Sequence, residues 1–494
     1  MRYLLMNLMS VRYLPKVTAL ALCLLFSLPA AHANDTADTG GDQAQSSPDA
    51  GGETTCGEGG GCREAAVDVG SSEQGVLPDS SLGNPINLMS GNKYQRETDF
   101  QIPGAMLSLN RMYNSGNSNS NQALGQGWQH SYTVNLFNAG QDRREIVQSD
   151  GARILFAADG VNDDGDLMFR AQQSHHGYLR YSNQRYYWHL SDGRIMTFNR
   201  SYLTQIDWPD QRKLDLYYRS KRLHSVTDET GRSLVFHYSG DVQGSRLRSY
   251  DQTRFSDVPG YLTRVTLPDG SDIGYDYDSN LNLTRVRFAD GTSREYHYEN
   301  EFWPNHLTGL TDRNGVRYAS WSYDDQGRAI SSEHAGGVEK VTLQFPDPIT
   351  VAQGNVVETV VTNSLGAQSV YTWQKRPGLS REVLLSSYGP GCVTCPPTGI
   401  AYEYDQQGRL LNATKTGLGN AVGSDGLSYR YDEQGRLSEV RRIDALGNDE
   451  LVERREFADA HSQLPVRTYY PSVNPNGERL VEICLLYTSP SPRD

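Results

Sequence analysis

The chain has 494 residues and a formal net charge of −13. That length suits several ordinary domains or one large repeat array, and the acidic balance argues against a general nucleic-acid surface, because phosphate binding needs clustered Lys and Arg. With 30 Tyr against 12 Phe, the composition predicts half-buried strands whose tyrosine rings end in water.

Residues 1–33 have the pattern of a signal peptide. Arg2, Arg12 and Lys16 form a positive region, an apolar run follows from residue 17 to residue 30, and Ala31-His32-Ala33 is a typical cleavage site. The run is shorter than a membrane span requires. We therefore predict export, with a secreted or cell-surface location, and no membrane span in the mature chain.

Residues 34–81 are rich in Asp, Glu, Gly and Ser and have few large apolar residues, which predicts a disordered linker. The linker contains Cys56 and Cys62. In an oxidising compartment a small-loop disulfide is the favoured interpretation. A metal site is less favoured because no His or second Cys pair is near, and an intermolecular thiol pair stays open.

Residues 82–200 are predicted to form an opening β domain. Its strongest motif runs from Gly125 through Gly127, Trp128 and His130 to Tyr132. The glycines permit a close turn, and the aromatic residues can anchor a strand in a core. The motif resembles the domain of unknown function that opens the repeat core of Rhs proteins. We interpret His130 as a structural histidine beside aromatic rings rather than a catalytic group.

An acidic run from Asp159 to Asp166 is the only stretch that suggests a calcium loop. With Gly165 as the central glycine, Gly160 and Ala171 fall at the first and last ligand positions, and neither has a side-chain oxygen. We therefore predict an acidic surface turn there.

A Tyr-Asp-x-x-Gly-Arg motif recurs along residues 201–483. In each copy a strand ends in Tyr, Asp opens a turn, and Gly supplies the positive φ that closes it, so each copy predicts a β-hairpin. The copies are Tyr323-Asp324 with Gly327-Arg328, Tyr404-Asp405 with Gly408-Arg409, Tyr431-Asp432 with Gly435-Arg436, and a degraded copy at Tyr277-Asp278. The degraded copy has Leu281 in place of the glycine, which predicts a turn of different geometry. We interpret the Arg residues as solvated turn residues or as stems that stack on Tyr.

A Leu-x-x-Val pattern follows the turns, as in Leu283 with Val286 and Leu437 with Val440. An odd spacing breaks the period of two, so it predicts a bulge or sharp twist. The combined pattern resembles the YD repeats of Rhs proteins, of the shell subunits of Tc insecticidal toxins, and of teneurins. This resemblance implies an all-β fold of stacked hairpins that forms part of a coiled, hollow YD-repeat shell.

The repeat motif lapses between Val341 and Ser387, although alternation still predicts strands. Cys392 and Cys395 follow, with Pro396-Pro397 directly after them. The prolines disfavour the helix that a redox site would need, and zinc would need a second pair. We predict a structural disulfide.

Residues 484–494 resemble a translated sequencing adapter, so we expect the natural protein to continue beyond about Ile483. By the Rhs and Tc resemblance, the continuation would include an effector that the shell encloses. We find no phosphate loop, zinc-protease motif or nucleophile elbow, and therefore expect no enzyme activity and no cofactor. The partners would be that missing effector, secretion machinery, an immunity protein or surface glycans, but no nucleic acid.

Two other function classes remain open from the sequence. The first is a cell-surface adhesion or carbohydrate-binding protein, because teneurin-like proteins act at cell contacts and Tyr, Trp, Asp and Asn suit sugars. The second is a hydrolase built on the repeats.

Overall fold

The computed structural model describes residues 81–82, 85–118, 121–171, 176–239, 260–377, 379, 382–390, 398–417, 426–444, 446–471 and 478–482. The predicted signal peptide, nearly all of the predicted linker, all four predicted disulfide cysteines and the adapter-like residues lie outside these ranges. In the described part the chain is built almost wholly of antiparallel strands, so the prediction of an all-β fold is confirmed.

Seven short strands occupy residues 81–130. They are β1 (Ser81–Leu82), β2 (Ile86–Asn87), β3 (Tyr94–Gln101), β4 (Ser108–Asn114), β5 (Asn121–Gln122), β6 (Gly125–Gln126) and β7 (Trp128–His130). Strands β3, β4 and β7 form a three-stranded sheet, while β1 pairs with β2 and β5 with β6. We call residues 85–132 the opening segment.

The remaining strands form one antiparallel ladder in which each strand pairs with the next along the chain. The first half comprises β8 (Asn135–Asn138), β9 (Arg143–Val147), β10 (Arg153–Val161), β11 (Leu167–Ala171), β12 (Tyr178–Ser182), β13 (Arg185–His189), β14 (Ile195–Asn199), β15 (Tyr202–Asp207), β16 (Lys213–Arg219), β17 (Arg222–Asp228), β18 (Ser233–Tyr238), β19 (Leu262–Thr266), β20 (Asp272–Tyr277), β21 (Leu283–Arg287) and β22 (Ser293–His297). The second half comprises β23 (Gly309–Thr311), β24 (Arg317–Tyr323), β25 (Ala329–His334), β26 (Val341–Gln344), β27 (Val356–Thr362), β28 (Gln368–Lys375), β29 (Glu382–Gly389), β30 (Thr398–Tyr404), β31 (Leu410–Gly417), β32 (Gly426–Tyr431), β33 (Leu437–Ile443), β34 (Asp449–Glu456), β35 (Arg467–Pro471) and β36 (Glu478–Glu482). We call strands β8 to β36 the ladder.

The ladder begins earlier than the repeat motif. Strand β8 lies within the predicted opening domain, and β14 pairs with β15 across residue 200, so that boundary marks no break in hydrogen bonding. Tyr202 of β15 also pairs with Asn135 of β8, and Leu136 N donates a 3.1 Å hydrogen bond to Ser201 O. Strand β15 therefore pairs with β8 as well as with β14, and the ladder then continues into β16.

The Leu-x-x-Val spacing arises from a β-bulge, as the sequence predicted. In the β20–β21 pair, Asp276 lies opposite Arg285 but Tyr277 lies opposite Leu283, so the register shifts at the residue after Leu283. The same shift follows Leu437 in the β32–β33 pair. The extra residue lets Leu283 and Val286 share the buried face although they are three apart.

One short helix, α1 (Pro348–Ala352), interrupts the ladder between β26 and β27. Asp347 caps it by accepting a 2.8 Å bond from Ile349 N, and Pro348 supplies a fixed φ at the first position. The sequence predicted only strands in this region. No helix in the described ranges is long and apolar enough to span a bilayer.

The main core lies between the opening segment and one face of the ladder. Trp128, Tyr113 and Leu109 of the opening segment are buried with ladder residues such as Phe236 and Tyr296. A smaller cluster of Val357, Trp373 and Leu384 packs with Met89 beyond it. Burial of the opening segment therefore depends on ladder strands that are distant in sequence.

Candidate functional site: the docking surface of the opening segment

The Tyr-Asp turns share one hydrogen-bond pattern. In the turn of Asp432, Gly435 N donates to Asp432 O at 2.9 Å, and Asp432 N donates to Arg436 O at 2.9 Å. Gly435 has a φ of 80°, in the left-handed region that favours glycine. Equivalent bonds and positive φ values occur at Gly327 and Gly408.

The arginine that follows each turn glycine is held by the turn aspartate. Arg436 donates from Nε to Asp432 Oδ2 at 2.7 Å, and its guanidinium lies 4.0 Å from the ring centroid of Phe457. The same aspartate contact occurs for Arg328 and Arg409, and Arg409 stacks on Tyr431. Of the two roles expected for the turn arginines, stacking on Tyr is present at Arg409, and the ion pair with the turn aspartate is an addition that the sequence analysis did not predict.

The degraded copy has the same turn geometry as the other copies, although we expected it to differ. Leu281 has a φ of 64°, its N–H donates to Asp278 O at 3.1 Å, and Asp278 N donates to Asn282 O at 3.1 Å. The prediction of a different geometry is therefore wrong. A left-handed leucine is strained, and the carbonyl oxygen of Leu281 accepts a 3.0 Å bond from Gln126 N of the opening segment.

Tyrosine hydroxyls join successive hairpins of the ladder. A repeat tyrosine donates from its hydroxyl to the carbonyl oxygen of a leucine in the preceding hairpin. The pairs are Tyr238 with Leu223 (2.9 Å), Tyr277 with Leu262 (2.6 Å), Tyr298 with Leu283 (3.1 Å), Tyr323 with Leu307 (2.7 Å), Tyr404 with Leu384 (2.8 Å) and Tyr431 with Leu410 (2.8 Å). The prediction of a solvated ring edge is wrong for these tyrosines, because their hydroxyls donate to main-chain carbonyl oxygens.

The motif of the opening segment lies against these ladder tyrosines. Gly125 has a φ of 85°, and a Cβ there would overlap Leu281 O, so glycine is needed for close approach. Gly127 also has a positive φ and faces the ring of Tyr113. Trp128 is fully buried and donates from Nε1 to Tyr298 Oη at 2.8 Å.

His130 and Tyr132 complete the motif on its other side. The His130 ring lies 5.3 Å from that of Phe236, and its Nδ1 accepts a 3.3 Å bond from Tyr132 N. The Tyr132 hydroxyl donates to Ser108 O at 2.5 Å. Burial lowers the pKa of His130 to about 4, because the charged imidazole would lose its hydration there.

A buried ion pair lies at the centre of the docking surface. Arg111 of β4 contacts Asp99 of β3 with Nε to Oδ2 at 2.5 Å and Nη2 to Oδ1 at 2.8 Å, and both side chains are 0% exposed. Two ladder tyrosines complete it: Arg111 donates to Tyr296 Oη at 2.8 Å, and Tyr275 donates to Asp99 Oδ2 at 2.9 Å. Burial raises the pKa of the Tyr275 hydroxyl well above its ordinary value, and the neighbouring Asp99 carboxylate raises that pKa further.

Further bonds attach the opening segment over a long stretch of the ladder. Leu262 N donates to Ala123 O at 2.6 Å, and Ala329 N donates to Gly91 O at 2.8 Å. Thr359 Oγ1 of β27 donates to Leu88 O at 2.7 Å. These partners run from β19 to β27, so the segment fixes many hairpins relative to one another.

Sequence reasoning missed the charged residues of this surface. Gln95, Glu97 and Asp99 of β3 face the ladder, as does Lys93 directly before the strand. Arg96 and Thr98 lie on the opposite, exposed face. Alternation identifies two faces of a strand but not which one is covered. Since both faces of β3 are polar, the only signal was the Asp99 and Arg111 pair in neighbouring strands.

The arrangement holds two parts of the chain together by buried polar contacts. In the described ranges no group of three or more His, Cys, Asp or Glu side chains is placed to hold a metal ion. The acidic run near Asp163 is a hairpin turn in which Gly165 N donates to Asn162 O at 3.0 Å.

Comparisons with known proteins place this surface in context. Residues 83–156 match the family described as a domain of unknown function, DUF6531. A curated relative is the double-stranded DNA deaminase toxin A of Burkholderia cenocepacia (strain H111), 26% identical over 310 residues, which are 61% of this chain and 17% of that protein. This chain thus spans about a sixth of that relative's length.

Solved structures with some likeness include one of TcdB2-TccC3, with 11% identity, 78% of this chain and 26% of that chain covered, and a TM-score of 0.28. Another is the Tc holotoxin pore of Photorhabdus luminescens with a mutated TccC3, with 11% identity, 81% and 26% coverage, and a TM-score of 0.28.

Proposed function

We propose that this chain is the shell-forming part of an exported Rhs-type toxin-delivery protein, which encloses an effector carried in another part of the same protein. The observation that carries the proposal is the ladder itself. Strands β8 to β36 are paired successively, and the opening segment is fixed to one face by buried contacts from β19 to β27. Continuous pairing suits a wall, because it leaves few open strand edges.

The relationship to the deaminase toxin supports the same proposal. Its similarity to this chain covers 17% of its length. The effector is proposed to lie outside this chain, and the chain itself to be a scaffold without catalytic activity. Its tyrosine hydroxyls and ion pairs have structural hydrogen-bond roles, which fits a scaffold. The leader-like residues 1–33 and the family match at residues 83–156 add support for an exported Rhs-type protein.

Limited proteolysis of the complete gene product tests enclosure. The effector part should resist a protease while the shell is folded, and should be cut readily when it is produced alone. If the effector part were cut equally fast in both preparations, the enclosure proposal would fail. Binding of the chain to glycans or cell surfaces, together with rapid cleavage of the remainder, would favour the adhesion function instead.

A separate assay addresses catalysis. This chain should not deaminate double-stranded DNA at any concentration that leaves it folded. Deamination that persists after purification and is abolished by a point substitution within the chain would overturn the scaffold role.

A further inference from the structure

Lys93 is a fully buried lysine directly before β3. Its side chain is 0% exposed, and its Nζ lies 2.5 Å from Tyr94 O and 2.8 Å from Gln95 Oε1. The ring of Trp321 from the ladder covers the amine, with Nζ 4.2 Å from the ring centroid. Lysine is rarely buried in this way unless an acidic partner compensates its charge.

No carboxylate in the described ranges forms an ion pair with Lys93. The amine instead contacts the carbonyl oxygen of Tyr94, the carboxamide of Gln95 and the indole of Trp321. Burial alone lowers the pKa of Lys93 well below its ordinary value, since the ammonium would be desolvated. The neutral amine has a free lone pair and is a nucleophile.

The carboxamide of Gln95 is the electrophile within reach. Lys93, Gln95 and Glu97 are two residues apart along the strand and therefore project to the same face. Gln95 Nε2 donates a 2.9 Å bond to Glu97 Oε1, and Glu97 is 4% exposed. The other oxygen of Glu97 is held by Arg294 of the ladder. The amine of Lys93, the carboxamide of Gln95 and the carboxylate of Glu97 are thus linked by consecutive hydrogen bonds on the face of β3 that the ladder covers.

We propose that Lys93 and Gln95 become joined by an intramolecular amide bond. Nζ attacks Cδ of Gln95, the new Nζ–Cδ bond forms, the Cδ–Nε2 bond breaks, and ammonia leaves. Nζ loses one proton and Nε2 gains one. Because Glu97 accepts from Nε2, its carboxylate can hold the proton released from Nζ and return it to the leaving nitrogen. The exchange converts one amine and one primary amide into one secondary amide and ammonia, so it needs no oxidant or external reactant.

The docked structure supplies the conditions for this slow reaction. Nζ and the carboxamide are held within hydrogen-bond distance, which raises their effective concentration, and burial excludes the water that would compete for the carbonyl carbon. The product replaces a buried titratable amine by a neutral amide, and so removes a destabilising group. The reaction depends on the docking of Trp321 and Arg294, and not on the proposed function.

Peptide mass spectrometry of the complete folded protein tests the proposal. After ageing in mildly alkaline buffer, denaturation and digestion, the peptide containing both residues should be lighter by one ammonia. Trypsin should not cut after Lys93, and reductive dimethylation in denaturant should not label its amine. Fragment ions should place the mass loss between Lys93 and Gln95. A peptide of full mass, cut after Lys93 and labelled there, would overturn the proposal.

Variants distinguish the amide bond from other losses of ammonia. Gln95→Glu and Lys93→Met should each give a peptide of full theoretical mass. Glu97→Gln should slow the reaction several-fold while the far-ultraviolet circular dichroism is unchanged. A loss of ammonia that persists in Gln95→Glu would refute the assignment, because that variant has no amide nitrogen at position 95 to release. If Lys93→Met fails to fold, Gln95→Glu still gives this readout.

Discussion

Trp128 of the opening segment and Tyr298 of the ladder share a hydrogen bond that is part of a relay. The indole Nε1 donates to Tyr298 Oη at 2.8 Å, and this hydroxyl donates onward to Leu283 O at 3.1 Å. Tyr298→Phe would leave a buried indole N–H without a partner. We expect a loss of about 1–3 kcal/mol of unfolding free energy, measured by denaturant titration.

Tyr323→Phe is the matched control for this prediction, since the Tyr323 hydroxyl also donates to a leucine carbonyl, Leu307 O at 2.7 Å, and no indole in the described ranges donates to it. Its loss should be about 1 kcal/mol or less. Equal losses in the two variants would show that the relay adds nothing.

Gly125→Ala should separate the opening segment from the ladder. An alanine Cβ would overlap Leu281 O and so break the bond from Gln126 N. Gly104→Ala is the control, since Gly104 also has a positive φ of 76° but has no atom within 4 Å of the added Cβ. Hydrogen exchange of residues 121–132 should rise only in Gly125→Ala. A rise of the same size in both variants would mean that backbone strain, not overlap, is responsible.

Arg111→Ala should be strongly destabilising, because it leaves the buried Asp99 carboxylate without its partner. The expected loss of unfolding free energy is about 3–5 kcal/mol. Removal of the exposed partner in the pair of Arg153 and Glu145, with Arg153 68% exposed, should cost less than about 1 kcal/mol. Thermal denaturation measures both, and the double variant Asp99→Leu with Arg111→Met should recover part of the loss. A mild effect of Arg111→Ala would contradict the placement of this pair in the core.

Gly435→Val should cost about 1–3 kcal/mol, because a β-branched side chain is strained at a φ of 80°. Gly435→Asn should cost less, since asparagine tolerates the left-handed region. Denaturant midpoints of the two variants give the comparison. Equal midpoints for Val, Asn and the parent would refute the turn geometry.

Stability should fall as the pH drops through the window set by His130. Its pKa in the folded state is lowered from 6.5 to about 4, so the unfolded state binds the proton first between these values. The loss expected from this group between pH 7 and pH 5 is roughly 2 kcal/mol, and the loss should level off below about pH 3. His130→Asn should remove this contribution, while the part that comes from His189, whose pKa burial lowers to about 3, should remain. A parent-like profile for His130→Asn would exclude His130 as the cause.

Local rules sufficed for the hairpins. Asp432 and Gly435 occupy turn positions that their side chains dictate, and Leu283 with Val286 indicated the bulge because their spacing breaks the strand period. The short helix at Pro348 also had a local signal, an aspartate followed by proline, but the alternation around it was given more weight.

Tertiary contacts decided what the sequence could not predict. Leu281 adopts a left-handed φ that its side chain disfavours, and a bond from Gln126 N fixes its carbonyl. The inward face of β3 is polar because Arg294, Trp321 and the ladder tyrosines meet it, and none of these is near in sequence. Tyrosine hydroxyls could not be assigned to buried carbonyl oxygens until the register of the hairpins was known.

The bond between Leu88 and Thr359 has a consequence for synthesis of the protein. The two residues are 271 positions apart. At ribosomal rates of roughly 5–20 residues per second, the opening segment waits for tens of seconds before its last ladder partner emerges. During that time its apolar and charged side chains face water without their partners. Strands β8 to β15, which return on themselves, can pair much sooner, so assembly would begin there and the first-made segment would be among the last to settle.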